Sequence, residues 1–518
     1  MKKLIQILGI VVLAIVVILN IVYTADMNSG EQISINFNSF IYIIGLIITA
    51  ILIYFITEVI NKHLYNGMNE EKKRKLRKWM VAIAIVLYLI LNVIFVYLLT
   101  SKKLVWLIFV RPGIVADSIH VLNLAQTFYE NNPDRYLPNL TYAGIPLIQY
   151  MQAYPHQITL AFVYNMLFCV LHCDLIILPR IFNVFFNLLI ILALYKITKQ
   201  LSKDYKMNNT RMFILILTFF TIPMLATFMY GDIPALSLSL FSVYFMMKFT
   251  DTKQVRYGIF ASILTMIAYL MRMNTLIFVI ATVIYLVLNI FKDFKAKEVK
   301  EKLINVAVIA MFLVLTFVPS SLVKTYYFSK YNLEKGKTYP SISYILMAME
   351  EGPRANGWYN ETIAEPALRS LKTGENISDE YKEKIKDRLE YFAKHPTYTV
   401  DFYRQKLTTT WAESTYSAIF NNGITEESNL SWIKSPLTFY QKAWIILTFT
   451  LTIIVLIQNR KKLTIELIFL VTIFLGGFCF HILWEAKSRY IIPYIVTLIP
   501  VASVMLNIKP WKIKKLNS

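Results

Sequence analysis

The chain has 518 residues, 53 Lys and Arg against 32 Asp and Glu, a net charge of +21, 57% apolar residues and only 16% charged ones. Soluble domains are near a quarter charged, and repeated long apolar runs indicate a membrane, so a soluble globular enzyme is excluded. The basic residues fall in short stretches between apolar runs rather than in one patch, which excludes a nucleic-acid-binding protein.

A helix needs roughly 20 apolar residues to cross the hydrocarbon core. The first spans are predicted at 4–23, 41–60 and 80–99. The first is too long for a signal peptide, lacks a clean cleavage site and is soon followed by a second span. A more polar stretch, 100–156, holds Asp117 and His120 in RPGIVADSIHVLNLAQTFYENN and His156 in AYPHQ. Next comes QITLAFVYNMLFCVLHC at 157–173, apolar but carrying Gln157, Asn165, His172 and two cysteines. Spans follow at 178–198, 212–229, 232–249, 256–271, 275–291 and 303–323, with Arg272-Met273-Asn274 splitting the pair at 256–291.

The segment 324–442 has a water-soluble composition, with 16 Lys and Arg and 15 Asp and Glu. It shows a helical pattern at 379–395 and turn signals at Glu351-Gly352-Pro353 and Asn421-Asn422-Gly423. The last spans are predicted at 443–458, 463–484 and 490–506. Cys169, Cys173 and Cys479 all lie in apolar runs and read as buried membrane thiols, not a disulfide framework. The Cys169, His172 and Cys173 group lacks a fourth ligand, so no metal site is expected.

Charge decides whether 157–173 crosses, because basic residues of short loops stay on the cytoplasmic side. If it does not cross, the inner segments hold 29 Lys and Arg with 9 acids, and the outer ones 24 with 23. If it crossed, the basic loop at 62–78 would oppose every later one. The predicted fold class is therefore an all-α polytopic membrane protein. It has about 12 transmembrane helices, an outer interfacial helix and a small α-rich extracytoplasmic domain. The segments are 1–99 with three spans, a membrane core at 100–323, the outer domain at 324–442, and three further spans at 443–518. Within the core, 100–156 is the outer loop and 157–173 the interfacial helix.

Ionisable residues near membrane depth are costly and mark functional sites. On this topology one face collects Asp117, His120, His156, Arg180, Asp232, Arg272, Glu485, Lys487 and Arg489. Each has a plain structural use: Asp117 and Asp232 can cap helices, and Arg272, Lys487 and Arg489 can snorkel to headgroups. Their convergence at one depth is what favours a site. Such a set suits sugar transfer from a lipid phosphate. Arg and Lys hold the phosphate, fixed cations stabilise the charge that grows on it, and a carboxylate deprotonates the acceptor hydroxyl. No glycine-rich nucleotide-phosphate loop is present.

In order and placement these residues resemble the C-type superfamily of integral-membrane glycosyltransferases, over roughly 80–510. The resemblance is to the branch of protein O-mannosyltransferases and bacterial aminoarabinose transferases. Asp117 in VADSIH matches the acidic residue of the family's first outer loop, and Tyr154-Pro155-His156 matches the start of its interfacial helix. Arg180 with Asn183, Asp232 in YGDIPAL, Arg272, and Arg489-Tyr490 with Pro493 and the upstream Glu485 match its later positions. Two extra spans precede the hallmark loop, a lone Asp117 followed by Ser118 replaces the usual paired acids, and His156 replaces a second proline.

The resemblance implies an inverting transfer from a polyprenyl-phosphate sugar, with undecaprenyl phosphate the carrier in many bacterial relatives. It implies a catalytic Asp117, a donor-phosphate site of Arg272, Arg489, Lys487 and Arg180, and positioning of sugar or acceptor by His120, His156, Asp232 and Glu485. The acceptor would be a cell-envelope polymer, glycolipid or protein. No cofactor beyond the lipid-linked donor is indicated, and neither is a divalent metal. The protein would be a multi-pass protein of the cell membrane, with cytoplasmic termini and an extracytoplasmic active site. The competing readings are a lipid or polysaccharide flippase or transporter, and an envelope polysaccharide polymerase or ligase. Against a transporter, the halves look unalike and the polar residues gather at one face rather than at mid-membrane.

Overall fold

The computed structural model describes residues 1–28, 30–99, 117–132, 141–142, 145–175, 177–292, 299–334, 337–424 and 428–506. Among them, ten helices are long and apolar enough to cross a membrane. They are Lys2–Val22, Phe40–Tyr65, Glu70–Leu99, Ile177–Leu201, Asn209–Thr227, Asp232–Thr252, Met273–Phe291, Val299–Lys330, Ser431–Gln458 and Ile465–Leu483. Each coincides with a predicted span. A helix satisfies its own backbone polar groups, which lipid cannot do. Polar side chains hold the helices together inside the bundle. Asn187 Nδ2 donates to Asn92 Oδ1 at 2.6 Å, and the Ser242 and Thr265 hydroxyls lie 2.6 Å apart.

The two other predicted spans take different forms. The segment at 256–271 is the helix Val255–Met271, of 17 residues. The segment at 490–506 is not one helix: a 3-10 turn, Ser488–Ile491, leads into the short helices Ile492–Val496 and Ile499–Ala502. Pro493 and Pro500 lack the amide hydrogen that would continue the ladder. This broken segment still traverses the bundle. At one end Arg489 meets Asp232. At the other, Asn208 N donates to Ser503 O and Met505 N to Lys206 O, both at 2.8 Å.

The bundle has two unlike ends. One holds the basic loops, where Lys203 pairs with Asp251 and Arg211 with Glu58. The other holds the segment 324–442 and the candidate site. The interfacial helix Pro155–Leu171 stays at the site end. Gln157 near its start donates to the Tyr230 hydroxyl. The following helix, Ile177–Leu201, starts at that same end, since Asn183 Nδ2 donates to Ala226 O at 3.1 Å and Phe228 O at 3.0 Å. His172, in the left-handed region at φ 50°, ends the interfacial helix.

Three features depart from the sequence reading. First, Tyr23–Met27 and Ile33–Phe37 form an antiparallel hairpin between the first two spans, where no strand is predicted. Asn28 Oδ1 closes its turn by accepting from Gly30 N at 3.0 Å and Gln32 N at 2.9 Å. Second, the cysteines are not buried thiols: Cys169 and Cys479 are exposed on the protein's surface and Cys173 is half-buried. In a helix apolar all round, composition does not separate the lipid-facing side from the packed one. Third, the outer domain is α-rich as expected, with helices Ile342–Met349, Glu361–Thr373, Ile377–Lys394 and Pro396–Trp411. It is not a separate body, for Tyr339, Leu346, Tyr381 and Trp411 join the same core as the membrane helices.

Candidate active site

The site is built on the junction Tyr230-Gly231-Asp232, which opens the helix Asp232–Thr252. Gly231 sits at φ 78°, and a Cβ there would lie 2.6 Å from the Met271 carbonyl oxygen. The absence of a side chain lets the end of the Val255–Met271 helix press against this turn. Arg272 follows at once, in extended conformation before the 3-10 turn Met273–Thr275. Its Nε lies 3.0 Å from Asp232 Oδ1. From the broken last segment, Arg489 Nε lies 3.7 Å from Asp232 Oδ2. The three side chains are 14, 13 and 5% exposed for Arg272, Asp232 and Arg489.

Aromatic faces support both guanidiniums. Arg272 lies 4.4 Å from the Tyr230 ring centre and 5.2 Å from that of Tyr490. Arg489 lies 4.2 Å from Phe228, 5.3 Å from Tyr230 and 5.8 Å from Tyr490. Each such contact contributes ~0.5–2 kcal/mol, more as water is excluded. Gln157 and Asn183 fix this wall, through the Tyr230 hydroxyl and the 226–228 carbonyls respectively. The result is a pair of cations held around one carboxylate, one positive charge in excess, at one end of the bundle.

The structure brings together Asp232, Arg272 and Arg489 as the spans suggest. Arg180 is buried one helical turn before Asn183. His120 is buried with its ring 4.8 Å from Tyr150, and His156 lies 6.1 Å from Tyr154. Glu485 is buried, and its carbonyl accepts from His481 Nδ1 at 3.4 Å. Asp117 opens the helix Asp117–Glu130, but its side chain lies outside the described residues. That helix is anchored where Phe128 stacks on Tyr327 at 3.9 Å and Gln126 donates to Asp174 at 3.4 Å. Lys487 does not face Asp232; it pairs with Glu31 of the hairpin. Among the described residues no three His, Cys, Asp or Glu side chains converge as metal ligands would.

Two carboxylates escaped the sequence reading. Glu413, buried, accepts from Thr415 N at 3.1 Å, Ser417 N at 2.6 Å, the Thr415 hydroxyl, and Ser488 Oγ at 2.7 Å. It thereby holds Tyr416 and Ser417 in consecutive left-handed conformations, φ 52° and 58°, and ties them to the residue before Arg489. Arg489 Nη1 reaches Asn421 Oδ1 of the same loop at 3.5 Å. Burial pushes the Glu413 carboxyl up, against the hydrogen bonds it accepts. Its signal was available: Glu413 is the only charged residue within 407–425. Glu31 sits in the hairpin turn and accepts from Lys487 and, at 3.1 Å, from Arg354. Burial alone raises the Glu31 carboxyl, yet Lys487, Arg354 and Arg489 together hold it below its ordinary value. Nothing local in the sequence marks it.

Lys406 closes the other side of the loop that carries Glu485 to Arg489. Its ammonium is buried and donates to Ala348 O at 2.8 Å, Ile482 O at 2.9 Å and Trp484 O at 3.2 Å. Two of those carbonyls end the helix Ile465–Leu483, where a cation is favoured.

Fold and site together define a multi-pass, all-helical membrane protein with a charged site at one end of the bundle. Residues 158–319 match the family of the dolichyl-phosphate-mannose-protein mannosyltransferases, a stretch that includes Arg180, Asp232 and Arg272. That match spans under a third of the chain. Among solved structures it is similar to the oligosaccharyltransferase of Archaeoglobus fulgidus in its apo form, at 12% identity and a TM-score of 0.43. That similarity covers 82% of this chain and 50% of the other, so the chain spans about half of its neighbour's length. No curated protein matches the chain.

Proposed function

We propose that the protein transfers a sugar, with inversion, from a polyprenyl-phosphate carrier to a cell-envelope acceptor at the extracytoplasmic face of the cell membrane. The observation that carries this reading is the pair of largely buried guanidiniums, Arg272 and Arg489, held around Asp232 at the end of the bundle opposite the basic loops. Basic short loops stay in the cytoplasm, so the site faces outward and both termini inward. A carrier such as undecaprenyl phosphate would lie along the lipid-facing helices with its phosphate at the depth of the two arginines.

As the bond from sugar to phosphate breaks, the phosphate gains a second negative charge. Arg272 and Arg489 stabilise that charge more than the bound donor's, and this difference accelerates the reaction. Asp117 takes the proton of an acceptor hydroxyl that attacks from the opposite side of the sugar, which inverts the anomeric centre. Asp232 orients the two guanidiniums, Arg180 assists the phosphate, and His120, His156 and Glu485 position sugar or acceptor. The acceptor is a polymer, a glycolipid or a protein of the envelope.

The test is release of polyprenyl phosphate from a polyprenyl-phosphate hexose by purified variants in lipid nanodiscs. Asp117→Asn keeps the shape and removes the base, so turnover should fall ~100-fold or more. Arg272→Ala and Arg489→Ala should lower both turnover and donor affinity. Folded variants that turn over like wild type would overturn these roles and leave the arginines as structural partners of Asp232.

A further inference from the structure

The hairpin between the first two spans lies outside the segment that matches the mannosyltransferase family. It nonetheless delivers a carboxylate to the loop that carries Arg489. Glu31 occupies the turn at φ 61°, a left-handed conformation uncommon for a residue with a side chain. Its side chain is 9% exposed and bridges Lys487 of the Arg489 loop to Arg354 of the outer domain. Ile33 N donates to Arg354 O at 2.9 Å, and Met27 packs with Trp358 and Ala486, so the turn is docked rather than loose. Lys487 is only two residues from Arg489, and Arg489 also acts electrostatically on Glu31.

We propose that Glu31 sets the phosphate class of the donor. By engaging Lys487 and Arg354 it withholds them from the site, leaves Arg272 and Arg489 to act on one phosphate, and so favours monophosphate-linked over pyrophosphate-linked carriers. This rests on the donor reading above. Arg272 and Arg489 share Asp232, which leaves one positive charge in excess. With Arg180 assisting, that suffices for the single negative charge of a phosphodiester. A pyrophosphate diester carries a second charged phosphate and needs a further cation beside the first. On the hairpin side of Arg489's loop the cations are Lys487 and Arg354, and both are paired with carboxylates, Arg354 additionally with Glu361 at 2.6 Å. Removing the Glu31 charge frees the ammonium two residues from Arg489 for the second phosphate.

The experiment uses the full-length protein in nanodiscs, titrated with polyprenyl phosphate and with polyprenyl pyrophosphate of equal chain length. Binding is read as a shift in thermal unfolding. Wild type should prefer the monophosphate. Glu31→Gln should move the ratio of the two affinities ~10-fold or more toward the pyrophosphate, the size of one charge-assisted contact. Glu31→Asp should keep the wild-type ratio. Adding Lys487→Met to Glu31→Gln should cancel the gain, because the freed ammonium is then gone. A hairpin anchor with no role in selection would alter stability and leave the ratio alone. So an unmoved ratio in folded Glu31→Gln, with wild type binding the monophosphate, overturns this inference and spares the donor reading. Wild type that binds neither carrier overturns both. If Glu31→Gln does not fold, the Glu31→Gln/Lys487→Met double variant, which leaves no unpaired ammonium, is compared with Lys487→Met alone. The two should share one ratio, and a difference between them overturns the role of Lys487.

Discussion

Gly231→Ala tests how the site is assembled. At φ 78° an alanine is strained by ~1–2 kcal/mol. Its Cβ would lie 2.6 Å from the Met271 carbonyl oxygen and 3.0 Å from Leu160 Cδ1. The leucine can rotate away, but the carbonyl belongs to the backbone, so the Met271-Arg272 segment must shift. Overpacking of this kind adds ~1–3 kcal/mol, which brings the total to ~2–5 kcal/mol. The shift acts directly on the 3.0 Å contact between Arg272 and Asp232, and a displacement near 1 Å can cost ~100-fold in rate. Gly374→Ala is the control. That glycine has φ 77°, with nothing within 4 Å of its absent Cβ, so it carries the conformational cost alone. Denaturant unfolding in detergent and donor turnover in nanodiscs should separate the two. Gly374→Ala should lose ~1–2 kcal/mol with unchanged turnover. Gly231→Ala should lose more and turn over ~100-fold slower. Equal losses of stability in the two variants, with turnover kept in Gly231→Ala, would refute the close-approach reasoning.

Other outcomes follow from the same geometry. Glu413→Gln puts an amide donor against the backbone N–H of either Ser417 or Thr415, at a cost of ~1–3 kcal/mol. Turnover should fall with it while donor binding falls less, and unchanged kinetics in a stable variant would remove Glu413 from the support of Arg489. In a cysteine-free background, exposed Ser202→Cys and Asn376→Cys should label from opposite sides, with only Asn376→Cys reached by an impermeant reagent in intact cells. Labelling of Ser202→Cys from outside would invert the topology. The Glu31 ion pairs should show a defined pH dependence. The folded pKa is depressed, so their stabilisation is complete above the unfolded value of ~4.3 and is lost as pH falls through the lower folded value. The difference in unfolding temperature between wild type and Glu31→Gln should therefore be flat above about pH 5 and shrink below pH 4. A difference that grows on acidification would contradict the pairing.

The spans were legible because a bilayer imposes one rule on every crossing, and runs such as 41–60 and 80–99 obey it without interruption. The meeting of Asp232, Arg272 and Arg489 was legible for a related reason: each is a costly charge at a span boundary, and the charge tally puts all three at one face. Glu31 carried no such mark, and Glu413 carried only its isolation among the uncharged residues of 407–425. A carboxylate in a polar loop is ordinary until the fold buries it, and burial of a loop depends on contacts made hundreds of residues away. Lys487 illustrates the converse, since its place beside Arg489 suggested phosphate while its partner lay in the N-terminal hairpin. The last crossing was legible as apolar but not as broken. Its turns depend on Pro493 and Pro500, and hydropathy does not register prolines as breaks.

That last crossing bears on how the protein reaches its membrane. A 3-10 turn followed by helices five and four residues long cannot close every backbone group within itself as one long helix does, and lipid offers no partner for the rest. Residues 491–504 are buried except for Pro493, which is half-buried. Two carbonyls at its far end, Ala502 O and Val504 O, are satisfied by Arg211 Nη1 at 2.8 and 3.3 Å, a donor supplied almost 300 residues earlier. The segment can leave water only for a cleft that the other helices have already formed. Membrane integration of this chain thus includes a step of tertiary folding: this segment is received by the bundle, not by the bilayer, and Arg489 arrives with it.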